Sequence, residues 1–196
     1  MPLPPSPVAE LLSRLDAALG ALGVPWFLFG AQAAAAYGAA RLTADVDLTV
    51  RLGETSVQGL VSALARAGFA SRVEDDPEFV ERTQVLPLVD RTTGLPVDVV
   101  LAGPGLEDVM LEAAERIDVG GVVVPVARAE HLVVTKVLAG RPKDLEDVEA
   151  ILSARADRFD TREVEALLGV LEKALDQQDL LPVFQRALAR ARKTAR

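Results

Sequence analysis

The sequence predicts an α/β chain in which strands alternate with helices as far as about Ala127, and helices alone follow. Three observations carry this. The stretch Trp26 to Val50, WFLFGAQAAAAYGAARLTADVDLTV, reads as strand, glycine turn, short helix and second strand. Asp90-Arg91-Thr92-Thr93-Gly94 and Gly120-Gly121 each lie between strand-like runs, as hairpin turns do. From Arg128 the character changes to helices. The expected organisation is a core over residues 1–127 with a helical region, 128–196, packed on it.

Each element has its own local warrant. Val8, Leu11, Leu12, Leu15, Leu19 and Leu22 recur at helical spacing, and Gly23 and Pro25 stop that helix. Trp26 to Phe29 is short, apolar and aromatic, so it suits a buried strand with Trp26 and Phe27 in the core. Gly30 ends it, and Ala31 to Ala36 is built from the strongest helix former. Ala44 to Val50 alternates strictly: Asp45, Asp47 and Thr49 share one face, Val46, Leu48 and Val50 the other. Glu54 to Ala67 is expected as a helix with Gly68 as its stop, and Phe69 to Val73 as a short strand. Glu74 to Glu81 reads as an acidic connection with one helical turn after Pro77. Thr83–Val89 and Pro96–Leu101 are expected as paired strands, Gly105–Arg116 as a helix and Ile117–Val126 as a tight hairpin. Helices over Arg128–Ala139, Lys143–Ala154, Thr161–Leu175 and from about Leu180 complete the chain.

Composition narrows the function classes. Half of the 196 residues are hydrophobic, yet no run approaches the roughly 18–20 apolar residues of a membrane span. Met1 to Pro7 lacks the basic and apolar regions of a signal peptide. There is no cysteine, which excludes disulfides and zinc–thiolate sites. A cytoplasmic location follows as the expectation. The net charge of −8 disfavours general nucleic-acid binding. The end of the chain is the exception, with Arg186, Arg190, Arg192, Lys193 and Arg196 forming a basic tail. That tail is either a solvated helix face or a contact for phosphate-rich or acidic partners.

The chemistry concentrates in a few acids and one lysine. Asp45 and Asp47 stand roughly 6–7 Å apart on one strand face, so they are either solvent-facing edge acids or a site for a divalent cation. Asp98 interrupts the apolar Val97, Val99, Val100, Leu101 strand. Burying it requires a metal or a partner such as Arg41 or Arg91. Lys136 falls between Leu132 and Val133 on the apolar arc of its helix, where it must snorkel outward or meet an anion. Asp144 suits a helix N-terminus, and Lys143–Asp147 has the spacing of an ordinary ion pair. His131 is the sole histidine, and no serine stands in a nucleophile setting; a core or surface imidazole is expected. Tyr37 is expected to pack against the sheet, with base stacking as the alternative.

Phe29-Gly30-Ala31, thirteen residues, then Asp45-Val46-Asp47-Leu48 resembles the polymerase-beta-like nucleotidyltransferase signature. At Ala31 the pattern departs, since the family has Gly or Ser there; alanine keeps the N–H and lacks the hydroxyl. Arg41-x-Thr43-x-Asp45 is similar to aminoglycoside nucleotidyltransferases and AbiEii-like toxins. Arg141-Pro142-Lys143-Asp144-Leu145-Glu146-Asp147 resembles the Arg-x-Lys-Asp-x-x-Asp run of the same families.

The resemblance implies a nucleotidyltransferase fold, a mixed, twisted sheet with flanking helices and a C-terminal helical region. It implies Mg²⁺ on Asp45, Asp47 and Asp98, with Asp98 also the base for an attacking hydroxyl. Gly30, Ala31, Arg41, Thr43, Lys136 and Asp144 become nucleotide-binding residues, with Asp147 a further candidate. The implied reaction moves a nucleoside monophosphate from NTP to an acceptor hydroxyl, with tRNA the acceptor and an antitoxin the partner. Two alternatives stand beside it: an aminoglycoside-like small-molecule adenylyltransferase, whose cationic substrate suits the acidic charge, and an inactive binding protein of the same fold.

Overall fold

The computed structural model describes residues 6–39, 45–73 and 77–194. Two compact units divide the chain, one within Met1–Ala33 and Leu42–Ala127, the other within Ala34–Arg41 and Arg128–Arg196.

The first unit is built on a mixed seven-stranded sheet. Its strands are β1 (Trp26–Phe29), β2 (Val46–Val50), β3 (Phe69–Ser71), β4 (Val85–Asp90), β5 (Pro96–Leu101), β6 (Glu115–Asp118) and β7 (Val123–Val126), in the order β3-β4-β5-β2-β1-β7-β6. β2 pairs with β5, and β1 with β7, in parallel; the other neighbours are antiparallel. Helices α1 (Pro7–Ala21), α2 (Gly30–Ala36), α3 (Val57–Arg66), α4 (Pro77–Thr83) and α5 (Leu106–Glu112) punctuate the strands.

The sheet has two unlike faces. Val46, Leu48 and Val50, with Val97, Val99, Leu101, Leu86 and Leu88, form a buried set. In α1, Leu11, Leu12, Leu15 and Leu19 are wholly buried, as the helical period requires, and α1 packs on α3 and β7. Ser6 caps α1 by accepting from the Ala9 N–H at 3.1 Å, and Pro7 occupies the first turn, where its missing N–H costs nothing. On the alternate positions Asp47, Pro96, Asp98 and Val100 are only half-buried. Period-two alternation thus places the acids on the open side.

One ion pair anchors the buried side. Asp90 ends β4 with no exposure and accepts from both Arg14 guanidinium nitrogens, at 2.8 and 2.7 Å. The Thr93 hydroxyl, at 2.6 Å, and the Thr92 and Thr93 amides satisfy its remaining lone pairs. Arg14 also lies over the Phe69 ring, 5.4 Å from its centre. Burial alone would raise the Asp90 pKa, but the Arg14 and Thr93 hydrogen bonds outweigh it and bring it down to about 2.

Several boundaries differ from expectation. The strand carrying the first acids begins at Val46 rather than Ala44, leaving Asp45 exposed ahead of it, and Thr49 is covered. α3 starts at Val57 because Ser56 caps it, accepting from the Gly59 N–H at 3.1 Å. Pro77–Thr83 is a full seven-residue helix, and Gln84, at φ 55°, turns the chain into β4. Glu115 and Arg116, expected at the end of a helix, belong to β6: Glu115 pairs with Val126 and Arg116 with Pro125. The hairpin ladder therefore runs past the apolar pattern. Its charged, exposed residues suit an edge strand that must not pair further.

The second unit contains α6 (Ala129–Ala139), α7 (Pro142–Ala154), α8 (Thr161–Leu175) and α9 (Leu180–Thr194). α6 is buried on nearly every side, and the other three helices all contact it. Tyr37 is buried in this unit, under the Arg155 guanidinium at 4.9 Å. Among the described residues no helix is long and apolar enough to cross a membrane.

Arg14→Met strands a buried carboxylate, and urea unfolding should register a loss of about 3–5 kcal/mol. The sign of the pH dependence follows from the depressed pKa. The Asp90 contribution, about 2 kcal/mol, is complete above its ordinary value of 3.8 and is lost as pH falls through about 2. In Arg14→Met that acid-limb slope should flatten; an unchanged slope contradicts the assignment.

Candidate active site

The parallel pairing of β2 with β5 sets Asp47 directly opposite Asp98. Directly paired residues project to the same side of a sheet, and neighbouring strands lie about 4.8 Å apart. Two half-buried carboxylates thus share the open face. At an effective dielectric near 20 their mutual repulsion is about 3 kcal/mol. The row continues on both sides: Phe29 of β1 pairs with Asp47, and Pro87 of β4 with Asp98.

Gly30 follows Phe29 at φ 69°. A Cβ there would lie 2.8 Å from the Asp47 carboxylate carbon and would collide with its Oδ2. Glycine is required twice over, by the left-handed backbone and by the carboxylate that fills the Cβ position. Ala31, next in the turn, is buried.

The Asp98 partner is Arg72, which follows β3, rather than Arg91. Arg72 was not legible as a site residue. It belongs to no motif, and its place beside Asp98 depends on how β3, β4 and β5 register. Asp45 is exposed just ahead of β2. Among the described residues no group of three acids or histidines is drawn close enough to ligate one ion. Arg41 and Thr43 lie outside the described residues.

Lys136, Asp144 and Asp147 form a separate buried cluster in the second unit. Lys136 does not snorkel; its Nζ lies 2.6 Å from Asp147 and 3.4 Å from Asp144. The expected Lys143–Asp147 pairing gives way to this interhelical contact. The Arg141 Nε donates to Asp144 at 2.5 Å. Burial opposes ionisation of Asp144, but Arg141 and Lys136 outweigh it and hold its pKa below the usual range.

His131 is fully buried, as expected of a core imidazole, with Nε2 3.1 Å from Glu163. Its Nδ1 is buried without a hydrogen bond, and burial lowers its pKa despite the nearby Glu163 charge. In the C-terminal helix Arg186, Arg190, Arg192 and Lys193 are exposed, with Arg190 2.9 Å from Glu149. Arg196 lies outside the described residues.

The Gly30 turn thus stands against Asp47, which is in register with Asp98 on a parallel strand. The family described as "Nucleotidyl transferase AbiEii toxin, Type IV TA system" matches residues 11–196. The chain belongs to the AbiEii nucleotidyltransferase toxin family.

Solved structures agree on the fold. The solution structure of the antibiotic-resistance factor ANT(2'')-Ia superposes with a TM-score of 0.60 at 15% identity, covering 86% of this chain and 93% of the other. The crystal structure of ANT(2'')-Ia in complex with adenylyl-2''-tobramycin has the same score and identity, covering 87% and 99%. An antigenic nucleotidyltransferase-like protein from Paracoccidioides brasiliensis gives a TM-score of 0.55 at 18% identity, covering 95% of each chain. No curated protein matches the sequence. The AbiEii-family chain is therefore a nucleotidyltransferase with a mixed, helix-flanked sheet.

The buried Lys136 cluster makes a stability prediction. Lys136→Met leaves Asp144 and Asp147 buried without their shared ammonium, and thermal or urea unfolding should report a loss of about 3–5 kcal/mol. Adding Asp147→Leu should restore part of it. A Lys136→Met protein as stable as wild type contradicts the cluster's role.

Proposed function

We propose that this AbiEii-family protein transfers a nucleoside monophosphate from an NTP to an acceptor hydroxyl, releasing pyrophosphate. The observation that carries the reading is the in-register pair Asp47 and Asp98 on the open sheet face, behind the Gly30 turn. Hard, half-exposed carboxylate oxygens are the donor chemistry that Mg²⁺ requires. Asp47 and Asp98 would hold the ion, with Asp45 adding a third carboxylate from the start of β2. When bound, the ion supplies positive charge against the triphosphate and the charge that develops in transfer.

The protein's own groups do the rest. Asp98 accepts the acceptor hydroxyl proton at its carboxylate. Gly30 and Ala31 present backbone N–H groups to the β- and γ-phosphates. Arg41, Thr43, Lys136 and Asp144 enter this reading as nucleotide-binding residues on the family resemblance alone.

The acceptor we favour is RNA, tRNA in particular. Type IV toxin membership implies an antitoxin partner, and the exposed basic face of α9 offers phosphate-binding charge in an otherwise acidic chain. A second reading, adenylylation of a small cationic hydroxyl compound, draws support from the net charge of −8.

Radiolabelled NTPs supplied with Mg²⁺ to total RNA, and separately to an aminoglycoside, test both. Wild type should label RNA, and the folded Asp47→Asn and Asp98→Asn proteins should lose at least about a hundredfold of that labelling. Label on the aminoglycoside alone selects the second reading. Equal labelling by wild type and both variants refutes the site.

A further inference from the structure

Among the described residues, Arg72 lies beside the acids of the open sheet face, and its placement suggests more than a structural pair. The Arg72 backbone N–H donates to the Pro87 carbonyl at 2.9 Å. Pro87 is the cross-strand partner of Asp98, and Asp98 of Asp47. Arg72 therefore stands at the head of a single row, with Pro87, Asp98 and Asp47 in succession. Proline offers only a compact ring, so the long Arg72 side chain can cross over it and reach the Asp98 carboxylate.

The contrast with Arg14 and Asp90 is instructive. There the carboxylate is fully buried, gripped at both oxygens and tied down by Thr93. Arg72 and Asp98 are 38% and 37% exposed. A pair as open as that contributes little to folding and exchanges readily. Its partner acid is also one of the three that the proposed reaction assigns to a cation.

We propose that Arg72 is an exchangeable guanidinium that guards Asp98 until a cation arrives together with a polyphosphate, and then moves its contact to that polyphosphate. The proposal rests on the nucleotidyl-transfer reading of the site. A bare divalent cation must displace Arg72 from Asp98 and leave two like charges side by side. A cation that brings a polyphosphate supplies the guanidinium with a new anion, matched to its planar fork. Arg72 thus disfavours the naked ion and favours the ion–polyphosphate pair.

The two effects have opposite signs, which a simple structural role would not produce. Mn²⁺ binding read by electron paramagnetic resonance, and inorganic pyrophosphate binding read by calorimetry in saturating Mn²⁺, separate them. Arg72→Gln should hold Mn²⁺ alone about two- to fivefold more tightly, the range for losing a part-exposed ion pair. It should bind Mn²⁺-pyrophosphate about tenfold more weakly, as expected when a charge-assisted contact is removed. Arg72→Lys should restore the weaker Mn²⁺ binding but only part of the pyrophosphate affinity, because an ammonium lacks the fork. An Arg72→Gln protein that matches wild type for both ligands, or that weakens for both, overturns the assignment while leaving the cation site standing. If neither wild type nor Arg72→Gln binds Mn²⁺, the reading of the site falls, and the role of Arg72 with it.

Discussion

Parallel pairing between β2 and β5 does more than extend a sheet. A strand alternates its side chains with a period of two, so a slip of one residue in either strand would send its acid into the leucine and valine layer. Val46, Leu48 and Val50 lock one strand, and Val97, Val99 and Leu101 lock the other. Both sets are fully excluded from water except Leu101, which is nearly so. The cost of exposing them fixes the register, and the register places Asp47 beside Asp98. The hydrophobic layer is in this sense what aligns the polar one.

Gly30 is the second constraint on the same acids. Its positive φ lets the chain leave β1 and enter α2 at once, and its missing Cβ leaves the space that the Asp47 carboxylate occupies. The Gly30 turn and the Asp47 carboxylate are therefore one piece of geometry. Arg72 completes it from across the sheet by offsetting part of the charge that two adjacent carboxylates create. The chain keeps its like charges together at the open face and its firmly neutralised acid, Asp90, at the buried one.

Much of this was legible in the residues because it is local. The run Trp26–Phe29, the glycine that ends it and the alternation through Asp47 each follow from periodicity over a few positions; β1 and α2 appear where those patterns put them, and β2 begins two residues later. Pairing was harder. Nothing in the residues around Arg72 announces a partner 26 positions further on. Nor does Asp90, which reads as part of a turn, reveal that it is the anchor for Arg14. Lys136 shows the intermediate case: helical spacing put it on the apolar arc and demanded an anion, but the identity of that anion came from how α6 and α7 meet. Glu115 and Arg116 failed for a related reason, since an edge strand takes its pairing from a neighbour and its side chains from solvent.

The account depends on two carboxylates from different strands acting on one ion beside the glycine turn. A crystal of the protein soaked with Mn²⁺ and a non-hydrolysable NTP, measured for the anomalous signal of the metal, tests that most directly. The account predicts a peak within coordination distance of both Asp47 and Asp98, with the triphosphate against the backbone at Gly30. A nucleotide bound with its metal away from either acid would contradict it.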